Sequence, residues 1–306
     1  MLNAQYTLYH ESDHTMNRKK FLYCSTAGFA GIGITGCSTP GLLKRTSQSD
    51  TIQYRKLGKT GLKVTAVGFG ATRTNEPSVI KRVVDTGVNF IDTGRMYSEG
   101  KNEEVIGKVI ADIRKDIVIQ SKIHQNIQRN KTAMEKSIDE SLKALRTDYI
   151  DVMLLRWTSD KEAVNNPVAI EVLDRAKESG KIRCAGISCH SNQVEIMKAA
   201  IENAFYDVVL VTYNYAGKYT HVQSGRKSEW DAAALEREIL RASSIGMGVV
   251  AMKTCSAGPL KEEGESEATY TAALRWILRN KNISTIIPAM GNFREIEEDV
   301  RAMYEG

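Results

Sequence analysis

The chain has 306 residues, 42% hydrophobic and 26% charged, which is the composition of an ordinary globular protein with room for one large domain or two small ones and excludes a disordered or collagen-like chain. Forty-two basic against 37 acidic residues leave a net charge of +5, with no dense basic tract beyond Arg18-Lys19-Lys20, so nucleic-acid binding has little support. Five cysteines, none in a C-x-x-C pair, suit neither a disulfide framework nor a zinc or iron–sulfur site, and redox chemistry here would need a bound organic cofactor.

From Met16 a short basic region precedes an uncharged, small and apolar stretch from Phe21 to Gly36, the layout of a secretory signal segment and a poor membrane span. Ile34-Thr35-Gly36-Cys37 resembles a bacterial lipobox, in which small residues admit the peptidase and the cysteine sulfur is acylated. The expectation is therefore an N-terminal extension and signal over residues 1–36, with a mature chain beginning at Cys37, exported to the periplasmic or cell-envelope side and lipid-anchored there. Arg18-Lys19-Lys20-Phe21-Leu22 resembles a twin-arginine export signal, but Lys19 stands at the second arginine, which leaves the general route open. Residues 1–15 read as an upstream extension from a misassigned start; if the signal is unused, the protein is cytoplasmic. A buried N-terminal helix is the weaker reading, since each glycine in this segment costs up to about 1 kcal/mol in a helix interior. Gly31-Ile32-Gly33-Ile34-Thr35-Gly36 matches G-x-G-x-x-G, yet no strand precedes it and Pro40-Gly41 blocks a following helix, so the match is discarded.

A polar linker over residues 37–51 leads to a domain expected over 52–306. Residues 52–57 and 62–64 flank Gly58-Lys59-Thr60-Gly61 and predict a β-hairpin. Short apolar runs then predict eight strands at 66–70, 88–92, 117–121, 150–155, 182–188, 208–213, 249–253 and 285–288. Between them, apolar residues recur at helical spacing, as in Met134, Ile138, Leu142, Leu145 or Leu235, Ile239, Leu240. Eight strands alternating with helices over some 250 residues fit an α/β chain closed into a (β/α)8 TIM barrel, with the opening hairpin available to plug its bottom. An open doubly wound sheet is the rival, but Gly68-Phe69-Gly70-Ala71-Thr72 lacks the third glycine of its phosphate-binding turn.

In a barrel the C-terminal strand ends converge on one mouth, so polar residues there carry chemical meaning. Strand two ends in Asp92, with Tyr97 five residues on; strand three is followed by Lys122, strand four by Arg156-Trp157, and strand five ends in Ser188-Cys189-His190. A tyrosine is a poor acid at neutral pH unless a neighbouring ammonium stabilises its phenolate and lowers its pKa, and Asp92 would hold Lys122 charged and aimed. The set suits general-acid delivery of a proton to a carbonyl oxygen. Singly, each residue has a bland reading as cap, packing ring or solvated cation; their joint placement favours the chemical one.

The chain here resembles the aldo-keto reductase family from about Tyr54 to Met303. YRKLGKTGLKV (54–64) looks like the family's opening hairpin, GVNFIDTGRMY (87–97) like its catalytic signature, and NEEVIG (102–107) like the helix that follows. The resemblance implies a (β/α)8 barrel and reversible hydride transfer between a nicotinamide cofactor and an aldehyde or ketone, with Asp92, Tyr97 and Lys122 as catalytic residues and Tyr97 as proton donor. At the family's fourth catalytic position, usually histidine, this chain has Arg156. Arginine still donates hydrogen bonds but is larger and always charged. Either it holds a carboxylate or phosphate beside the reacting carbonyl, turning substrate choice toward acidic compounds, or its charge beside Lys122 leaves a weak catalyst.

The resemblance also implies cofactor positions. Ser188 matches the serine placed on the nicotinamide carboxamide, while Cys189 and Leu210 replace the family's asparagine and glutamine. Tyr213 is a candidate packing partner. GVVAMKT (248–254) resembles the seventh strand and the start of the pyrophosphate loop, with Lys253 and Gly258 as contacts. IPAMGNFREIEE (287–298) resembles the last cofactor motif, with Asn292 and Arg294 as contacts. There Ala289 and Glu295 take the place of bases that would neutralise the extra phosphate, which leaves NADP(H) only slightly ahead of NAD(H). The expected partners are a small carbonyl substrate and the membrane only through the anchor at Cys37. A non-catalytic or weakly catalytic nicotinamide-binding redox sensor is the competing function, favoured by Arg156, Cys189 and Leu210. A metal-dependent barrel hydrolase finds no support, because His124, His190 and His221 lack ligand spacing, and no metal is expected.

Overall fold

The computed structural model describes residues 51–220, 225 and 227–304. The expected signal, lipobox and most of the linker, and His221, lie outside the described residues. In chain order the elements are β1 (Tyr54–Lys56), β2 (Lys63–Thr65), β3 (Phe69–Gly70), α1 (Pro77–Asp85), β4 (Phe90–Asp92), α2 (Lys101–Val109), β5 (Val118–Ile123), α3 (Lys131–Leu145), β6 (Ile150–Leu155), α4 (Lys161–Val164), α5 (Pro167–Glu178), β7 (Ile182–Cys189), α6 (Gln193–Asn203), β8 (Val208–Thr212), β9 (Lys218–Thr220), β10 (Lys227–Glu229), α7 (Ala232–Ser244), β11 (Gly248–Met252), α8 (Tyr270–Arg279), β12 (Thr285–Ile286) and α9 (Phe293–Val300). Helix starts carry the side-chain caps their sequences promise: Asn130, Asn166, Asp231, Thr269 and Asn292 each accept from a backbone N–H of the first turn.

Eight strands form one parallel sheet in the order β3-β4-β5-β6-β7-β8-β11-β12. Parallel bridges Val67 to Ile286 and Gly70 to Ala289 join its two ends, with Gly68 N–H donating to the Ile286 carbonyl at 2.8 Å, so the sheet closes as the eight-stranded barrel expected from the sequence. The ribbon β9–β10, inserted between β8 and α7, is an element the periodicity did not disclose.

The hairpin β1–β2 seals the N-terminal end. Leu57, Leu62 and Val64 are buried in one cluster with the barrel-interior residues Phe90, Val118, Val152, Leu154, Val208, Leu210 and Val250. The turn approaches so closely that a Cβ on Gly58, at φ +55°, would lie 2.3 Å from the Gly246 carbonyl oxygen, which explains the glycine there. Arg55 locks the hairpin to α8 by donating to the Leu278, Ile283 and Asn280 carbonyls, a cation placed on the negative end of a helix.

A strand's period of two sorts every barrel residue into one of two cores. Phe90, Val118, Leu154, Leu210 and Val250 fill the interior. Ile91, Ile119, Leu155, Ile187, Val211 and Ala251 face the helical layer, where they join the larger cluster with Ile80, Ile106, Ile138 and Leu173. This parity decides which residues reach the mouth.

Candidate active site

Counting by twos from the interior residues Phe90, Val118, Leu154 and Leu210 leads to Asp92, Gln120 and Lys122, Arg156, and Thr212. The structure brings the first of these together tightly. Lys122 Nζ donates to Asp92 Oδ1 at 2.5 Å and to the Thr93 carbonyl at 2.6 Å, and Gln120 Nε2 donates to the same Asp92 oxygen at 2.7 Å. Both members of the ion pair are 3% exposed. The Lys122 ammonium lies 4.8 Å from the Tyr97 ring centroid, and each group acts on the protonation of the other. Burial acts to lower the lysine pKa, but Asp92 and Tyr97 outweigh it and the net direction is upward, so Lys122 stays an ammonium throughout the neutral range.

Tyr97 departs from the sequence expectation of a lowered pKa. Lys122, by charge and hydrogen bond, and Arg156, by charge, pull it down, but burial is the largest influence and Asp92 adds to it, so the phenol is raised above its usual value. The protonated form, the one that can donate, is therefore the form present at neutral pH.

The turn bearing Tyr97 is held from several sides. Thr93 Oγ1 donates to Asn102 Oδ1 at 2.6 Å, and Asn102 Nδ2 donates to the Ala71 and Thr74 carbonyls. Arg95 pairs with the fully buried Glu103 at 2.8 Å, and Ser121 Oγ donates to the same carboxyl. Ser98 and Glu99 adopt left-handed φ of 48° and 55°, and Gly100 at φ +90° lies against Arg95 so closely that any Cβ there would collide with the guanidinium.

Arg156 is half-buried beyond the tip of β6. Its Nη1 donates to Gln125 Oε1 at 3.2 Å, and its guanidinium lies 5.1 Å from the Trp157 ring centroid. Burial lowers its pKa while Tyr97 works the other way. His190, the other imidazole near this mouth, rests its ring 5.0 Å from Trp157.

Ser188, at interior parity on β7, has its Oγ buried without a hydrogen-bond partner, as do Thr212 Oγ1 and Gln193 Nε2. Buried polar atoms in folded proteins are nearly always paired, so Ser188 and Thr212, both at interior parity near the ends of adjacent strands, are available to a polar ligand at the mouth. Parity corrects two of the cofactor assignments. Cys189 and Tyr213 fall on the opposite face: Cys189 is fully buried in the helix-facing core with Sγ 3.7 Å from the Leu210 carbonyl, and Tyr213 packs 5.4 Å from Trp276 and donates to Glu236. Neither lies at the mouth. Leu210 presents hydrocarbon to the interior, with no polar function there.

Lys253 follows β11 with φ +59°, and its Nζ lies 5.5 Å from the Tyr219 ring centroid. Burial and then the charge of Arg156 lower its pKa, so the two cations share the mouth. Gly258, at φ +86°, has open space where a side chain would stand. At the start of α9, Asn292 Oδ1 is spent on capping Glu295 N–H, and Arg294 is exposed. Glu295 Oε2 accepts from Gly291 N–H at 2.6 Å, and its other oxygen pairs with Arg73 at 3.0 Å. The Glu295 carboxylate thus takes up the donors of Gly291 and Arg73 at the start of α9. Among the described residues, no group of three or more His, Cys, Asp or Glu is placed to hold a metal ion.

The sequence reading missed Gln120, Gln125, Thr212, Gln193 and Tyr219. Gln120 and Thr212 were accessible by the same count of two; Gln125 sits past the tip of β5, Gln193 opens α6, and Tyr219 lies in the inserted ribbon strand β9, which the apolar runs did not reveal.

Comparison with known proteins gives a consistent picture. The model of the family described as Aldo/keto reductase matches residues 66–271. An uncharacterized oxidoreductase of Bacillus subtilis (strain 168) is 26% identical over 229 residues, covering 70% of each chain. L-galactose dehydrogenase of Arabidopsis thaliana is 26% identical over 300 residues, 83% of this chain and 89% of that one. Among solved structures, an aldo-keto reductase from Klebsiella pneumoniae in complex with NADPH superposes with a TM-score of 0.63 at 21% identity, covering 83% of this chain and 90% of that one.

Proposed function

This chain belongs to the aldo/keto reductase family of oxidoreductases, and from that premise we propose that it reduces the aldehyde or ketone group of a small molecule with NADP(H), Tyr97 supplying the proton. The observation that carries the reading is the buried Asp92–Lys122 pair with the half-buried Tyr97 against it at the barrel mouth.

The cofactor supplies the hydride when bound. The residues present fit its nicotinamide end: the unpartnered Ser188 Oγ, with Thr212 and Gln193 near it in sequence and strand order, can take the carboxamide's donors and acceptors. Lys253 is a candidate for the pyrophosphate, and Arg294 for the adenosine end. The Glu295–Arg73 pair fits an extra phosphate poorly, so the NADPH preference is weak and NADH serves as the second cofactor. The NADPH-bound Klebsiella pneumoniae structure supports the first choice.

Within the protein the chemistry is a proton transfer. Asp92, fixed by Gln120, keeps Lys122 charged and aimed; Lys122 polarises the phenol; and Tyr97 gives its proton to the carbonyl oxygen as negative charge develops there. Lys122 then stabilises the phenolate left behind. Arg156, whose charge Tyr97 feels, adds a second positive group on the same side.

The test is oxidation of NADPH and NADH, followed by absorbance, with 4-nitrobenzaldehyde and the full chain, against Tyr97→Phe. Aldehyde-dependent turnover that vanishes in the variant is the expected result. Saturable quenching of tryptophan fluorescence by the cofactor without turnover would instead favour the redox sensor. The lipobox motif further supports an exported protein anchored at Cys37, with a twin-arginine-like route carrying cofactor already bound; incorporation of labelled palmitate, lost in Cys37→Ser, tests the anchor.

A further inference from the structure

Arg156 and Lys253 stand at the two ends of one continuous wall. The Arg156 guanidinium lies 5.1 Å from the Trp157 ring centroid, and the Trp157 ring packs 5.0 Å from that of His190. The His190 carbonyl accepts from Tyr219 Oη at 3.3 Å, and Lys253 Nζ lies 5.5 Å from the Tyr219 ring centroid. Trp157 and Lys253 both hold left-handed φ of 59° directly past a strand tip, which turns their side chains out of strand parity. For non-glycine residues that conformation costs about 1–2 kcal/mol and persists only where the surroundings enforce it.

Both cations are half-buried, and among the described residues neither forms an ion pair; the side chains that Arg156 meets there, Gln125 and the Trp157 ring, are both neutral. Elsewhere Lys122 is neutralised by Asp92, Arg114 by Asp151 and Arg95 by Glu103, while Arg55, which also lacks a carboxylate, spends its donors on three backbone carbonyls. Arg156 also depresses the protonation of Lys253 and of His124, so the positive charge is concentrated and unrelieved on this side of the mouth. A guanidinium with one N–H on Gln125 and an ammonium close enough to feel its charge together offer the donor set of a carboxylate site. The Arg156 backbone N–H donates to the Ile123 carbonyl at 2.9 Å, and Arg156 stands one interior step past Leu154, the partner of Lys122, so the site adjoins the Lys122–Tyr97 pair.

We infer that Arg156 and Lys253 form an anion clamp across the mouth, and that the substrate is an oxo acid whose carboxylate they hold while its carbonyl oxygen faces Tyr97. The inference rests on the carbonyl-reductase reading and specifies its substrate class. It also reassigns Lys253 from the cofactor to the substrate.

The experiment compares phenylglyoxylate with its neutral isostere phenylglyoxamide in the full-length protein, by kcat/KM with NADPH and, separately, by the rise in Tm that each compound gives without cofactor. The expected result is an acid-to-amide ratio in kcat/KM of at least about tenfold, falling toward one in Arg156→Met and in Lys253→Met and partly restored in Arg156→Lys. Thermal protection by the acid should disappear in the two methionine variants, whose own Tm values report whether they are folded. Equal turnover of acid, amide and 4-nitrobenzaldehyde would leave the reductase standing and overturn the clamp. Weakened NADPH binding in Lys253→Met with acid preference intact would place Lys253 on the pyrophosphate and also overturn it. Thermal protection by the acid that needs both cations, without turnover of any carbonyl compound, would support the clamp while removing the reductase reading.

Discussion

Replacing Asp92 with asparagine isolates the electrostatic core of the site. The substitution keeps volume and leaves an oxygen near Lys122, but it removes the charge that pairs with a fully buried ammonium at 2.5 Å. Breaking a buried pair by removing one partner typically costs about 3–5 kcal/mol. Lysine can limit the loss by giving up its proton: from its ordinary value of 10.5, the 3.5 pH units down to pH 7 correspond to a ceiling of about 5 kcal/mol. In the parent the folded-state pKa of Lys122 is raised, so its contribution is fully present below about pH 10.5 and is lost as pH rises through the folded value. In Asp92→Asn the folded value is depressed by burial, the unfolded chain binds more protons, and stability rises between pH 7 and about 10.5. Urea unfolding at pH 7, 8, 9 and 10 should therefore show a gap of about 3–5 kcal/mol between the two proteins at pH 7 that narrows steadily toward pH 10. A gap that does not change with pH, or one below about 1 kcal/mol at pH 7, would refute the claim that burial and pairing at Lys122 are the controlling forces.

Four further outcomes follow from the geometry. Tyr97→Phe should lower kcat by about 10²–10⁴-fold, the range for a lost general acid, while cofactor quenching persists; because the phenol is raised, the parent's reduction rate should stay flat through neutral pH and decline only as the solution passes the ordinary tyrosine value of 10.0. Gly100→Ala should displace Arg95 from Glu103 and lower both Tm and kcat, which a shared loss in melting and steady-state assays would reveal. Cys189→Ala should cost roughly 1 kcal/mol in urea unfolding and leave cofactor affinity at the parent value, since its side chain packs among the helices; a change in affinity would return it to the mouth. Glu295→Gln should shift the ratio of NADPH to NADH kcat/KM toward NADPH by roughly tenfold, as Arg73 loses its carboxylate partner and a repulsive charge goes.

The barrel was legible because apolar runs and helical spacing repeat eight times, and because the hairpin's glycine turn is local chemistry. The meeting of Asp92, Lys122 and Tyr97 was legible for a related reason: Asp92 and Lys122 lie at or near strand ends, and Tyr97 follows Asp92 at a short distance. Errors began where the two faces of a strand had to be told apart. Cys189 and Tyr213 are adjacent in sequence to mouth residues, yet one position along a strand is half a turn of the pleat, and both face the helices. The direction of the Tyr97 shift was equally hidden, because a sequence shows the nearby lysine but not the depth of burial that outweighs it. Lys253 carries the opposite lesson. Parity alone would send it into the helical core, and only its left-handed backbone, which no periodicity predicts for lysine, returns it to the mouth.

The hairpin plug has a bearing on where the site exchanges with solvent. With Leu57, Leu62 and Val64 stopping the lower end and Phe90, Val118, Leu154 and Val250 filling the column above them, the Asp92–Lys122 pair sits on a hydrocarbon floor. That floor is hydrocarbon, and the polar ends of Asp92, Lys122 and Arg156 all lie on its upper side, so exchange with solvent is expected at the mouth. On the proposed chemistry, Tyr97 would then regain its proton from the solvent side, through the same opening by which the product leaves, so that both exchanges would share a single gateway.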